Sequence, residues 1–167
     1  MKKNNEIMII GLMSGTSMDG INATLVSTNG TSLKKYNINC ISNYNQKTVS
    51  LLKIALNSPE KCIENNYFFR DLEKMVTIDH YKAIKTLLKN TKIKPDLIGF
   101  HGQTIFHDPP NKQSIQIGSG KLLNFLSGIP VVYNFRNNDI IHGGEGAPIA
   151  PIYHKNIIEN NNLQLPC

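Results

Sequence analysis

Between Gly11 and Gly20 the chain reads GLMSGTSMDG, with three glycines, three hydroxyl residues and one carboxylate in ten positions. An apolar run precedes this segment and another follows it. A glycine-rich bend between two strands turns successive backbone N–H groups outward. Together with Ser14, Thr16 and Ser17 these can hold phosphate oxygens, while Asp19 can hold Mg²⁺ through water. No Lys follows and no helix is expected to open there, so the segment is neither a P-loop nor a dinucleotide fingerprint. The plainer alternative is a polar hairpin turn, but a turn does not need ten residues of this composition, which favours anion binding.

Two further clusters carry chemistry. The run Gly99-Phe-His101-Gly102-Gln103-Thr104-Ile-Phe-His107-Asp108 leaves the carboxyl end of an expected strand, Asp96 to Phe100. Open α/β sheets bind ligands there, so His101, Gln103 and Thr104 stand where polar groups meet a substrate. His107-Asp108-Pro109-Pro110 reads as a turn, and the spacing of His101, His107 and Asp108 matches no standard metal site. The third cluster, Asn134-Phe-Arg136-Asn-Asn-Asp139 followed by His142-Gly143-Gly144-Glu145-Gly146-Ala147-Pro148, also follows an expected strand. The planar fork of Arg136 suits a carboxylate or phosphate, Asp139 can accept from sugar hydroxyls, and Gly143-Gly144 lets backbone approach a ligand. The alternative is a surface i,i+3 pair beside a flexible loop. Two other features are set aside. Gly118-Ser-Gly120-Lys121 lacks the first glycine and the final Ser/Thr of a Walker motif and reads as a helix start. His80 falls on the apolar stripe of a helix and reads as a partly buried structural histidine.

The elements that must position these residues follow from periodicity. Glu6 to Met13 is an almost continuous apolar run, as in a strand covered on both faces. Ile21 to Ser27 and Lys34 to Ile41 follow, joined by the turn Thr28-Asn29-Gly30-Thr31-Ser32, giving a three-stranded antiparallel meander. Gln46 to Leu56 reads as a short helix ended by Asn57-Ser58-Pro59. Tyr67 to Lys89 reads as a long helix whose Phe68, Leu72, Met75, Val76, Ile84, Leu87 and Leu88 form one stripe, ended by the segment Lys92 to Pro95. Then come strands Asp96 to Phe100 and Ser114 to Ile117, a helix Leu122 to Leu126 stopped by Ser127-Gly128, and a strand Ile129 to Phe135. Strands separated by helices need crossovers, so the expected fold is α/β with a mixed sheet in βββαβα order. Asn160-Asn161-Asn162 reads as a frayed tail.

The 167 residues suffice for one self-supporting domain. Cys40, Cys62 and Cys167 form no CxxC and no even set, against a disulfide framework or zinc cage and in keeping with a reducing, cytoplasmic setting. The net charge of +6 comes from 18 Lys+Arg against 12 Asp+Glu. Only Arg70 and Arg136 are arginine, the longest basic runs are Lys2-Lys3 and Lys34-Lys35, and no aromatics interleave, so no nucleic-acid partner is expected. No segment reaches the length of a membrane helix, and Gly11, Ser14 and Asp19 interrupt the apolar core that a signal peptide would need.

Taken together, GLMSGTSMDG, IGFHGQTIFHDP and IQIG with GIPVVYNFRNNDIIHGGEGAPIAPIYH resemble the anhydro-N-acetylmuramic acid kinases, in that family's motif order and over nearly the whole chain. The resemblance implies an actin-like ATPase architecture, two α/β lobes with ATP and substrate between them. Residues 1–167 would be the N-terminal lobe, with the C-terminal lobe absent. It implies a kinase that uses ATP, Mg²⁺ and water to open the 1,6-anhydro ring while phosphorylating the 6-oxygen, yielding N-acetylmuramate 6-phosphate for peptidoglycan recycling. By resemblance Gly15, Thr16, Ser17, Met18, Asp19, Gly20, Ile21 and Asn22 would be the ATP-binding stretch, with Asp19 a Mg²⁺ holder through water. His101, Gln103, Arg136, Asp139 and Gly144 would line the sugar side. Asn22 and Asn134 stand where the family is expected to carry Asp, and Glu145 where Gln is common.

The general-base Asp, in a DTGPGN-type motif, and the NIGGIAN-type segment before it are expected beyond Cys167, so no catalytic residue is expected in the chain itself. Two readings result: a kinase lobe completed by a C-terminal half, encoded separately or not, and a catalytically inactive remnant lobe exposing the apolar surface its other half would cover. The full-length family is expected to be homodimeric.

Overall fold

The computed structural model describes residues 6–161. Lys2, Lys3, Asn162 and Cys167 lie outside the described residues. Strands β1 (Ile7–Ser14), β2 (Ile21–Thr28) and β3 (Leu33–Ser42) form the expected antiparallel meander, with Ile10 opposite Leu25 and Thr24 opposite Asn39. Side chains alternate across a pleated sheet. In β2 this buries Ile21, Ala23, Leu25 and Ser27 on one face and leaves Asn22 and Thr24 exposed on the other. In β1, Ile10, Leu12 and Ser14 are buried, while Ile7 and Met13 are exposed. The expectation that β1 is covered on both faces is therefore corrected: the face carrying Ile9, Gly11 and Met13 borders an open cleft.

Three helices follow, α1 (Gln46–Asn57), α2 (Pro59–Glu64) and α3 (Asn66–Leu88). The side chain of Asn45 accepts from the Lys47 N–H at 2.9 Å to cap α1, and that of Asn65 accepts from the Phe68 N–H at 3.1 Å to cap α3. Pro59, read as a stop, opens α2 instead, because its missing N–H is no loss in a first helical turn. On α3 the stripe buries Leu72, Val76, Ile84 and Leu87.

Strand β4 (Leu97–Asp108) is far longer than the expected Asp96 to Phe100. It runs parallel to β1, slips register between Leu12 and Ser14, turns at Gly102 (φ +73°), and continues antiparallel to β5 (Gln113–Ile117). The motif from His101 to Asp108 is therefore the second half of a bent strand rather than a loop beyond its end. The bend at Gly102 lets one strand serve two pairings. Pro109 to Lys112 forms the turn, with the Lys112 N–H donating to the Pro109 carbonyl at 2.8 Å.

Helix α4 (Gly120–Ser127) starts where expected, capped by Ser119, and ends on Gly128 in the left-handed conformation. Strand β6 (Val131–Tyr133) lies parallel to β4, and is shorter than expected because Asn134 adopts a left-handed φ of 62° and starts α5 (Phe135–Ile141). Neither α5 nor α6 (Ala150–Asn161) is apparent from the sequence. The sheet order is β3-β2-β1-β4-β5, with β6 also on β4.

The fold is a mixed α/β sheet with helices, as expected; the observed order is βββαααββαβαα, in which α2, α5 and α6 are additions to the expected elements. Helices α1, α3 and α4 cover the face bearing Ile10, Leu25, Ile98 and Phe100, where each fully buried apolar side chain contributes about 1.5–3 kcal/mol. The ring of Phe135 lies over Gly99 on the opposite face. Among the described residues no helix is long and apolar enough to cross a membrane.

Candidate functional site

Strands β1, β4 and β6 are parallel to one another, so their carboxyl ends share one edge of the sheet. Each of the three motifs begins there or beside it.

Ser14 ends β1 opposite Gln103. Beyond it the Gly15 carbonyl accepts from the Met18 N–H at 3.0 Å, closing a tight turn with Thr16 and Ser17 at its exposed corner. Met18 takes φ 56° and Gly20 φ 152°. A Cβ at Gly20 would stand 2.7 Å from Ile41 Cγ2 in a conformation L residues rarely adopt, so glycine is required to lead the loop into β2. Among the described residues no side chain bonds Thr16, Ser17 or Asp19. Ile21 is fully buried and anchors the start of β2, while Asn22 opens onto the cleft wall.

The cleft, of about 800 Å³, lies on the sheet face opposite α3. Gly11 and Gly99 form a bare floor where the missing side chains leave room, and Met13, Ile41 and Phe135 give apolar walls. His101 and Arg136 are its basic members. The Arg136 Nε–H donates to His101 Nε2 at 3.0 Å, and its Nη1 donates to the Gly146 carbonyl at 3.1 Å. His101 Nδ1 lies 2.9 Å from the Gly102 carbonyl. Those partners assign the proton to Nδ1 and the lone pair to Nε2. Burial, helped by the neighbouring guanidinium, lowers the His101 pKa, and burial lowers that of Arg136.

The other expected sugar-side residues sit differently. Asp139 accepts from the Gly146 N–H at 2.7 Å and its backbone carbonyl accepts from the Gly144 N–H at 2.9 Å. A side chain at Gly144 would overlap the Asp139 carboxylate. This pair therefore folds the 143–146 loop beneath Arg136 and does not line the cleft. Gln103 is fully buried: its Oε1 accepts from Tyr44 Oη at 3.1 Å, and its Nε2 donates to the carbonyls of Gly15 at 3.0 Å and Thr104 at 3.3 Å. It has no surface to offer a ligand, which corrects its placement on the sugar side. The Thr104 hydroxyl is buried without a partner among the described residues.

His80 is deeper than expected, fully buried, with Nδ1 at 2.8 Å from the Val76 carbonyl and Nε2 at 3.4 Å from Ser14 Oγ. Burial pushes its pKa down to about 4. Sequence reasoning missed Tyr44 and Asp79, which back the loop from behind; neither sits in a motif. It also missed Glu73, which lines a second cleft of about 150 Å³ beside His101 with Gln116 and Asn134. Burial raises the Glu73 carboxyl pKa, opposed by Arg70. Among the described residues no group of three His, Cys, Asp or Glu could hold a metal ion. A cation bridged to a phosphate needs fewer protein ligands, and exposed, unpartnered Asp19 beside the turn fits that use.

Comparison with known proteins places the chain in a family. Residues 7–165 match the family model described as anhydro-N-acetylmuramic acid kinase. The relative of that name from Pelagibacter ubique (strain HTCC1062) is 42% identical over 160 residues, spanning 94% of this chain and 43% of the relative. That from Brucella canis (strain ATCC 23365 / NCTC 10854 / RM-666) is 40% identical over 162 residues, 93% of this chain and 43% of its own length. That from Gluconobacter oxydans (strain 621H) is 35% identical over 149 residues, covering 89% and 41% respectively. The chain thus spans less than half the length of these curated relatives. With the match running through all three motifs that meet at the sheet edge, the chain belongs to the anhydro-N-acetylmuramic acid kinase family.

Proposed function

We propose that this chain supplies the phosphate loop and one wall of the sugar site of an ATP-dependent kinase acting on anhydro-N-acetylmuramic acid, in an actin-like lobe completed by a C-terminal half. The observation that carries the reading is the convergence of the segments 14–22, 99–104 and 134–146, distant in sequence, on the carboxyl ends of three parallel strands. In the proposed reaction water adds to the anomeric carbon, the anhydro C–O bond breaks, and the freed 6-oxygen takes the γ-phosphoryl group of ATP, releasing ADP. The proton of the water passes to a base in the completing half.

The residues of this chain bind and orient. The turn N–H groups and the hydroxyls of Thr16 and Ser17 hold phosphate oxygens, and Asp19 receives the water shell of Mg²⁺. When bound, Mg²⁺ supplies charge neutralisation at the phosphates. Neutral His101 holds the guanidinium of Arg136 over the cleft, where its remaining N–H groups match the carboxylate of the amino sugar, and the Asp139–Gly146 bond supports that fork from below. Asn22 contributes an amide where a carboxylate is expected, keeping shape and hydrogen bonding without the charge.

The test is incubation of the chain with ATP, Mg²⁺ and the anhydro-sugar, with and without a polypeptide covering the rest of the family's length, followed by phosphorus NMR of the product. The 6-phosphate is expected only in the completed mixture. Absence of product there, with no nucleotide or sugar bound by the chain, would make it an inactive remnant lobe.

A further inference from the structure

We infer that Gln103 is a positioning residue for the phosphate loop: clamped by Tyr44, its amide holds the Gly15 carbonyl inward and so aims the Thr16 N–H outward at the nucleotide. The inference rests on the reading of residues 15–20 as the nucleotide loop.

The Gly15 carbonyl accepts two hydrogen bonds, from Gln103 Nε2 and from the Met18 N–H, both at 3.0 Å. A peptide unit is planar and trans, so its C=O and the following N–H point in opposite directions. Fixing the Gly15 carbonyl toward the interior therefore fixes the Thr16 N–H toward solvent, on the side where Thr16 and Ser17 are exposed.

Gln103 is itself held. Tyr44, 7% exposed, donates to its Oε1 at 3.1 Å and meets the His80 ring edge-on at a centroid distance of 5.8 Å. One residue further on, the Asn45 N–H donates to Asp79 Oδ2 at 3.0 Å, and the Thr48 hydroxyl donates to the same oxygen at 2.7 Å. Asp79 and His80 are neighbours on α3, and His80 stands 3.4 Å from Ser14 Oγ. Two routes thus tie the start of the loop to one helix: Ser14 through His80, and Gly15 through Gln103, Tyr44, Asn45 and Asp79. A loop preset in its bound geometry avoids the ordering cost on binding.

The experiment compares the 167-residue chain with Gln103→Met, which keeps the side-chain length and loses the amide, and with Tyr44→Phe, which loses only the clamping hydroxyl. Two quantities are read: amide hydrogen exchange across residues 15–20 against that of α3, and affinities for Mg·ATP and for the anhydro-sugar. Gln103→Met is expected to speed loop exchange with α3 unchanged, and to weaken Mg·ATP binding about tenfold with sugar affinity unchanged, as for loss of one buried hydrogen bond. Tyr44→Phe should move both quantities in the same direction by less, and decides the matter if Gln103→Met does not fold. Unchanged loop exchange, or a loss confined to sugar affinity, overturns the inference. If the unaltered chain binds no nucleotide, the functional reading falls separately, and loop exchange alone decides the Gln103–Gly15 link.

Discussion

Arg136 donates from Nε to Nε2 of His101 at 3.0 Å, tying β4 to the first turn of α5 across the cleft. The bond needs an imidazole with a free lone pair, and the burial-lowered pKa of His101 keeps the ring neutral at physiological pH. Lysine has no fork and cannot reach both His101 and the Gly146 carbonyl. Arg136→Lys is therefore expected to weaken binding of the anhydro-sugar roughly 10- to 100-fold, the equivalent of about 1.5–3 kcal/mol for charge-assisted hydrogen bonds. Mg·ATP affinity should be unchanged. Parallel titrations with the two ligands check it, and equal loss of both would move Arg136 out of the sugar wall.

The buried His80 sets a pH dependence of stability. Its folded pKa of about 4 lies below the usual 6.5, so between those values the unfolded chain binds the proton that the folded chain refuses. Stability contributed by the neutral ring is complete above about pH 6.5 and falls as the pH drops toward 4. Burial lowers the pKa of His101 as well, with the same sign. Urea unfolding at pH 7 and pH 4.5 should show the loss, and His80→Gln should flatten part of it. A His80→Gln profile as steep as the original contradicts this.

At Gly20 the backbone angle and the Ile41 methyl both oppose a side chain. Gly20→Ala is expected to cost about 1–3 kcal/mol and to lower Mg·ATP affinity by shifting the loop. Adding Ile41→Ala removes the overlap but not the strained angle, so thermal unfolding of the double variant should recover only part of the loss.

Asp79 is buried and accepts from the Asn45 N–H, the Thr48 hydroxyl and Lys82. Lys82 is largely exposed, so the salt bridge itself adds little. Asp79→Ala strands the buried Thr48 hydroxyl and frees the Asn45 N–H, an expected loss of about 1–3 kcal/mol in urea unfolding. Lys82→Ala should cost less than about 1 kcal/mol.

Periodicity alone made much of this fold legible. The meander follows from one near-continuous apolar run and two short strand-like runs about a glycine turn, α3 from its stripe, and α4 from the helix start at Gly118-Ser-Gly120-Lys121 and the stop at Ser127-Gly128. The length of β4 was hidden because a polar, glycine-containing run reads as loop; Gly102 permits a bend that joins two pairings into one strand. Helix α5 was hidden because its seven residues, FRNNDII, carry too little apolar repeat to signal a helix. At the site, the glycine loop, His101 and Arg136 were visible from type and spacing. The interior role of Gln103 was not, since it depends on Tyr44, 59 residues away in sequence, and only tertiary packing brings the two together.

The central claim, that residues 15–22 cradle nucleotide phosphates, is tested most directly by backbone amide NMR of the chain titrated with Mg·ATP. Saturable shifts are expected at Thr16 and Ser17 and their neighbours up to Asn22. They should weaken in Asp19→Ala, whose stability should stay within about 0.5 kcal/mol of the original because the side chain is exposed and unpartnered. Shifts elsewhere, with the loop amides still and the chain folded, would contradict the claim.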